Sequence, residues 1–322
     1  MHNFKAIILA GGSGERFWPL STPEKPKQFL RVFGGESLIR QSVSRLKGLV
    51  KPKDVFVITS KALVAATRKE LPEIPKANII GEPMRRDTGA AIALGVGVAG
   101  NGVLGFFPSD QLVAKPAAFR KAVAAAIRRA KAKDAIVTLG IKPTFPATGY
   151  GYVNPKSGQF VEKPDEAKAR QYLKKGYLWN AGMFIGRAET FKAAFAAHAP
   201  ALVPLFTSSV SRLKSSYEPL PRISFDFAVM DHLKNVEVVP GDFGWDDVGS
   251  YAAFDKHFAR GKDGNIILGE VKAVETDGCT AVAKGARIAL LGVKDLVVVT
   301  TKDAVLVVAK GRAAELKKLF AK

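Results

Sequence analysis

Lys5-Ala6-Ile7-Ile8-Leu9-Ala10-Gly11-Gly12-Ser13-Gly14-Glu15-Arg16 is the stretch that decides the class of fold. A short apolar run breaks off into glycine, the pattern of a buried strand feeding a loop. The three glycines Gly11, Gly12 and Gly14 let backbone amides approach an anion closely and point together, a nest for phosphate. Sharp turns after strands use the same residues, so the cluster alone is weak. Neither G-x-G-x-x-G nor G-x-x-x-x-G-K-[ST] occurs in this loop, which excludes the dinucleotide and P-loop patterns by spacing. Arg16, and Lys27 beyond Pro19 and Pro26, add two cations suited to the same phosphates.

Outward from that loop the pattern repeats. Residues 54–59, 78–80, 103–107 and 135–139 read as further short buried strands, and 37–49, 62–70, 88–99 and 117–131 between them have helical character. Strand–helix alternation predicts an α/β fold with a Rossmann-like, mostly parallel sheet, whose ligands bind at the carboxyl ends of the strands. From Gly149 the rhythm changes. Strands are predicted at 149–153, 159–162 and 183–185, a helix at 189–197, and a Ser-, Lys- and Pro-rich surface excursion at 207–223. Gly261-Lys262-Asp263-Gly264 is the clearest linker. We therefore expect a catalytic domain over 1–260 and a small C-terminal β domain over 261–322. The latter has short strands at 266–268, 280–283, 288–291, 296–299 and 305–308 and a closing helix at 312–320. A short left-handed β-helix is conceivable there, but spacing alone does not establish it.

Composition narrows the function. At 322 residues the chain suits roughly two domains, and 47% hydrophobic against 24% charged residues excludes wholesale disorder. Cys279 is the single cysteine, which excludes an internal disulfide and fits a reducing, cytoplasmic compartment. The N-terminal apolar run is too short for a signal-peptide core, and no run of about 18 apolar residues marks a membrane span. Against 29 acidic residues stand 49 basic ones, a net charge of +20 that suits anionic partners. Nucleic acid, a membrane surface and phosphorylated small molecules are all eligible. The basic residues are dispersed, however, with no dense run beyond two or three, so a basic solvated surface is favoured over a nucleic-acid role. His2, His198, His232 and His257 are scattered without zinc-site spacing.

Gly11 to Ser21 and Pro26-Lys27-Gln28-Phe29-Leu30 resemble the signature of the sugar-1-phosphate nucleotidylyltransferases, specifically the mannose-1-phosphate guanylyltransferases. The resemblance continues in order through Glu82-Pro83, Arg86-Asp87-Thr88, Pro108-Ser109-Asp110 and Gly140-Ile141-Lys142-Pro143-Thr144. It then takes in Thr148-Gly149-Tyr150-Gly151-Tyr152, Val161-Glu162-Lys163-Pro164, Trp179-Asn180-Ala181-Gly182 and Gly244-Trp245-Asp246-Asp247-Val248-Gly249-Ser250. Two departures stand out: Asp87 occupies a position where the family commonly has Asn, and Gly89-Ala90 replaces Ala-Pro.

The resemblance implies that GTP and mannose 1-phosphate are converted to GDP-mannose and pyrophosphate, with Mg²⁺. Gly11, Gly12, Ser13, Gly14, Glu15, Arg16, Lys27, Glu82, Arg86, Thr88, Ser109 and Asp110 would bind the nucleotide. Gly149, Glu162, Lys163 and Asn180 would bind the sugar phosphate. Arg16, Lys27, Asp110 and Asp247 would be catalytic, with Asp110 and Asp247 holding the metal ion; Asp246 competes for that assignment. A two-carboxylate site suits Mg²⁺, which keeps waters and takes phosphate oxygens. Glu82 favours guanine, because one carboxylate can accept both N1–H and the exocyclic amine. Phe225-Asp226-Phe227 resembles a family segment near the sugar, but its aromatics are expected to pack the core. A fused isomerase domain is not expected, and the C-terminal β domain is a candidate for pairing subunits into a homodimer. Rival readings are another sugar 1-phosphate or nucleotide, a non-catalytic nucleotide-sugar sensor, and a polyanion-binding protein.

Overall fold

The structure, a computed structural model, describes residues 3–12, 14–208, 212–234 and 236–320. Two compact units are formed from interleaved stretches of chain. The first comprises Met1–Gly11, Arg40–Ser109 and Val113–Trp245; the second comprises Gly12–Ile39, Asp110–Leu112 and Asp246–Lys322. Most of the glycine loop and both candidate metal-binding aspartates thus fall in the same unit as the C-terminal strands.

The first unit is built on a sheet in the order Glu237–Pro240, Val137–Ile141, Leu178–Arg187, Val103–Pro108, Phe4–Ala10, Val55–Ser60, Ile79–Glu82. The strand Phe4–Ala10 is central: Ile7 pairs in parallel with Phe56 on one side and Phe106 on the other. Strands covered on both faces must be apolar throughout, which is why these runs are near-continuous Ile, Leu, Val and Phe rather than alternating. Leu178–Arg187 breaks the parallel order, antiparallel to both neighbours, and the short strands Tyr152–Val153 and Phe160–Val161 add further antiparallel pairs beside it. Only 183–185 of Leu178–Arg187 is legible from composition, because Asn180 and Gly182 interrupt the apolar run. The helix Asp87–Ala99 lies so close to the sheet that a Cβ at Gly95 would fall 2.7 Å from the Phe106 ring. Phe106, Phe191 and Phe225 then fill the space behind it, all fully buried.

The expected surface excursion at 207–223 is corrected by the structure. Among its described residues Leu213, Tyr217 and Leu220 are core. Polar neighbours mask an apolar set spaced at three to four residues, which is a helix-face spacing.

In the second unit, Ile266–Leu268, Thr280–Ala283 and Leu296–Thr300 stack in parallel, closed by the antiparallel strand Val305–Ala309. A second ladder pairs Val271–Val274 with Ile288–Leu291. This parallel stacking of successive chain turns is a β-helix-like arrangement. Composition gives no sign of Val271–Val274, since its residues alternate between partly buried and exposed. The closing helix is a run of 3-10 turns, Lys310–Leu319, rather than an α-helix. One apolar cluster joins Ile266, Val282 and Val299 to Phe17, Phe33 and Tyr251, so the loop carrying Arg16 is anchored on the C-terminal strands. Among the described residues no helix is long and apolar enough to cross a membrane.

Candidate active site

In the second unit the glycine loop turns through Gly14 at φ 67°, and a Cβ there would fall 2.5 Å from both Cβ and backbone N of Lys27. Only glycine combines that left-handed backbone with so close an approach. The contact fixes the relation between the loop and the short turn Lys27–Phe29. Lys27 is 6% exposed; its Nζ lies 3.0 Å from Asp110 Oδ2 and donates to the Asp247 carbonyl oxygen at 2.6 Å. Arg16 belongs to the same group, since a Cβ placed on Gly249 would sit 3.4 Å from both Arg16 Nη1 and Asp247 Oδ2. Tyr251 secures the loop by donating to the carbonyl oxygens of Phe17 and Trp18. Arg16, Lys27, Asp110 and Asp247 are therefore one cluster. Ser13 lies outside the described residues.

The two neighbouring aspartates separate cleanly. Asp246 is held by the protein itself: it accepts from the Val248 N–H at 2.7 Å and lies 3.2 Å from Lys256 Nζ and 3.4 Å from His257 Nε2. Burial works to raise its pKa, but the His257, Val248 and Lys256 contacts prevail and hold it down to about 2. Asp247 moves the other way: burial raises it, Lys27 and Arg16 oppose, and the Asp110 charge raises it further. A buried carboxylate beside a second carboxylate is disfavoured as an anion until more positive charge arrives. That is the donor set a divalent ion fits. Among the described residues no group of three or more His, Cys, Asp or Glu could hold a metal, so the remaining ligands would be water and phosphate oxygens.

In the first unit Glu82 ends the strand Ile79–Glu82, at the carboxyl edge where ligands are expected. It is buried, accepts a 3.1 Å hydrogen bond from Tyr217 Oη, and its Oε2 is 3.3 Å from where a Cβ on Gly11 would lie. Burial raises its pKa to about 7; the Tyr217 hydrogen bond lowers it and the Asp87 charge raises it. Composition gives no sign of Tyr217, which sits inside the polar stretch. Arg86 donates to the carbonyl oxygens of Tyr217 at 3.0 Å and Glu218 at 2.7 Å, and the Thr88 hydroxyl accepts the Phe225 N–H at 2.9 Å. Both side chains brace the segment that carries Tyr217 and Phe225.

The departures at 87–89 also acquire a cause. Asp87 has φ 65°, a conformation that Asn and Asp tolerate better than most residues. A Cβ at Gly89 would fall 2.7 Å from the Ile223 carbonyl oxygen, which leaves no room for alanine.

A second group in this unit surrounds Asn180. Its Oδ1 accepts from the Thr138 hydroxyl at 2.6 Å and the Gly182 N–H at 3.1 Å, while its Nδ2 donates to Asp226 Oδ1 at 2.9 Å. Glu162 pairs with Lys163 at 2.6 Å. Burial, followed by the Glu162 charge, raises Asp226 to about 7, with Lys163 opposing. Asp226 stands in the segment Phe225-Asp226-Phe227, which resembles a family segment near the sugar, and it joins this group through Asn180 and the Glu162 charge. Phe225 packs in the core as expected, but Phe227 is 46% exposed, with its ring 5.9 Å from Lys163 Nζ. Room exists at Gly149, where a Cβ would meet nothing within 4 Å; Ser109 is buried with its N–H on the Leu9 carbonyl. The histidines are less dispersed than they read: His198 and His232 stack at 5.6 Å.

A mostly parallel sheet with charged residues at its carboxyl edge, and a stacked β unit that carries a cluster of cations and carboxylates, suit phosphoryl chemistry on a nucleotide. The chain belongs to the nucleotidyl transferase family, whose model matches residues 5–262. Residues 269–322 match the MannoseP isomerase/GMP-like beta-helix domain. Within the family its similarity is to the mannose-1-phosphate guanylyltransferases. Those of Salmonella montevideo and Escherichia coli K12 are 34% and 33% identical, over 98% and 97% of this chain and 73% and 72% of theirs. A solved structure from Thermus thermophilus, of a mannose-1-phosphate geranyltransferase, superposes with a TM-score of 0.89 at 37% identity. That superposition covers 99% of this chain and 98% of the other.

Proposed function

We propose that the chain is an enzyme that transfers the guanylyl group of GTP to mannose 1-phosphate, giving GDP-mannose and pyrophosphate. A phosphate oxygen of the sugar attacks the α-phosphorus in line. One P–O bond forms, the bond from the α-phosphorus to the bridging oxygen breaks, and its electron pair leaves with pyrophosphate. No enzymatic nucleophile is required, so the protein's task is to orient two anions and offset their charge.

The observation that carries this reading is the buried Lys27 ammonium held between the Asp110 carboxylate and the Asp247 carbonyl, in one cluster with Arg16. Arg16 and Lys27 neutralise the triphosphate and the charge that builds on the leaving group. Gly11, Gly12, Gly14 and the backbone around Glu15 present N–H groups to phosphate. Asp110 and Asp247 would hold Mg²⁺, which would supply charge neutralisation at the phosphates. Glu82 accepts the N1–H and exocyclic amine of guanine, while Arg86 and Thr88 brace its surroundings. Glu162 accepts from sugar hydroxyls, Lys163 meets the sugar phosphate, Asn180 orients the Asp226 carboxyl, and Gly149 leaves space for the sugar. The lone, buried Cys279 suits a cytoplasmic setting.

Pyrophosphate release measured across a matrix of nucleoside triphosphates and sugar 1-phosphates tests the proposal. GTP with mannose 1-phosphate should give the highest kcat/KM. A higher value for any other pair would refute the substrate assignment, and release from no pair would refute the reaction.

A further inference from the structure

A cavity of about 690 Å³ lies within the second unit and is lined by none of the cluster of Arg16, Lys27, Asp110 and Asp247. Its lining combines buried or half-buried Trp18, Leu20, Leu30 and Val32 with an exposed rim of Lys25, Arg31, Lys284 and Lys302 against a single acid, Asp303. Four basic side chains and one acidic leave a local charge of +3 by direct count. This concentration is set apart from the dispersed surface lysines by the concave, apolar surface beneath it. A cavity of this size suits a small metabolite, and its charge suits phosphate.

The walls are well fixed. Thr301 and Ala304 close a tight turn through the Thr301 N–H to the Ala304 carbonyl at 2.9 Å, presenting Lys302 and Asp303. The Lys284 N–H is held on the Thr300 carbonyl at 2.9 Å. On the opposite wall Thr22 and Lys25 exchange backbone hydrogen bonds, each 3.1 Å.

That wall is the chain that positions the catalytic cations. Trp18–Leu20 continues directly from Arg16-Phe17, Lys25 precedes Pro26-Lys27, and the Leu30 N–H bonds the Lys27 carbonyl at 2.9 Å. We propose that the cavity is a regulatory site for a phosphate ester, its anionic groups held by the rim and its body resting on Trp18 and Leu20. Occupancy changes turnover because the ligand grips the segment that presents Arg16 and Lys27. The regulatory half rests on the proposed transferase activity; the binding half does not.

Calorimetric titration of the full chain, with GDP-mannose saturating the active site, separates the two. The probes are inorganic phosphate and fructose 1,6-bisphosphate, each against wild type and Lys284→Ala/Lys302→Ala. At least one probe should bind wild type with one site per chain. It should bind the double variant about tenfold more weakly, the loss of two charge-assisted contacts. The same probe should shift the KM for GTP in wild type and not in the variant, while the variant's activity without probe is unchanged. Binding of no probe to wild type, or equal binding to both proteins, overturns the site. Rim-dependent binding that leaves KM and kcat unmoved overturns its regulatory role alone. Failure of the transferase reading would leave the calorimetric difference intact.

Discussion

Tyr217→Phe removes one oxygen from a fully buried side chain and leaves its ring in place, so its effect falls on Glu82. The Tyr217 hydroxyl donates to Glu82 Oε1 at 3.1 Å and works against the burial that raises this carboxyl to about 7. A hydrogen bond to a charged group contributes about 1.5–3 kcal/mol, and about 1.36 kcal/mol corresponds to one pH unit. Its loss should therefore raise the Glu82 pKa by about one to two pH units. A protonated Glu82 cannot accept both guanine donors, so the acid limb of kcat/KM for GTP, which reports the free enzyme, should move alkaline by the same amount.

At neutral pH the KM for GTP should rise about tenfold with kcat little changed, and discrimination against ITP, which lacks the exocyclic amine, should shrink. Stability has a defined sign. With its folded pKa above the ordinary value of 4.5, Glu82 keeps its proton in the fold where the unfolded chain releases it. Stability therefore falls as pH rises from about 4.5 to about 7, and the variant should extend that fall to higher pH. Steady-state kinetics from pH 6 to 9 (roughly the range bracketing the shift), with thermal melts alongside, read both effects. An unchanged acid limb and unchanged GTP-to-ITP ratio in a folded variant would refute the role given to Glu82.

The other predictions concern the second unit. Lys27→Ala should lower kcat by about 10²–10³ with binding less affected, as for loss of one preorganised charge, read by pyrophosphate release. Gly14→Ala, at φ 67° with Lys27 in the way, should abolish turnover and lower the melting temperature. Asp247→Asn should keep its melting temperature and lose its response to added Mg²⁺. Asp246→Asn should do the reverse, melting lower at neutral pH. The stability that Asp246 supplies is present above pH 3.8 and lost as pH falls toward about 2, so wild type and variant should converge in acid.

The sheet was legible because burial on both faces leaves an unambiguous record. Runs such as Ile7-Ile8-Leu9 and Leu104-Gly105-Phe106-Phe107 admit few other readings. The glycine loop and its cations were legible for a related reason, since anion binding needs particular residues at close spacing. What stayed hidden depends on contacts between distant segments. Tyr217 looked like part of a polar excursion because its partners, Glu82 and Arg86, are more than a hundred residues away in sequence. Asp226 looked incidental between two phenylalanines until the fold set it against Asn180 and Glu162. Asn180 itself reads as a free donor and acceptor, yet Thr138, Gly182 and Asp226 already engage its side chain. A motif records which residue stands at a position and not which of its hydrogen bonds are already made.

Adjacent Asp246 and Asp247 show how ligand-directed charge can be told from structural charge. Asp246 has its partners in the protein and sits near pKa 2, so the folded chain is at its best with this group ionised. Asp247, Glu82 and Asp226 are all raised, each by burial first and with a neighbouring carboxylate adding to it. Holding such groups in their charged form costs the unliganded fold stability, which a ligand recovers if it brings complementary donors or cations. The three fall in the three recognition roles proposed for metal, base and sugar. It follows that the chain should be most strongly stabilised by nucleotide with Mg²⁺ near and above pH 7, where Glu82 and Asp226 must ionise and have the most to gain. A melting-temperature increment from GDP-mannose and Mg²⁺ that was largest at about pH 5, well below the Glu82 and Asp226 values of about 7, would mean that these acids bind as neutral donors and that the proposed guanine contact is reversed.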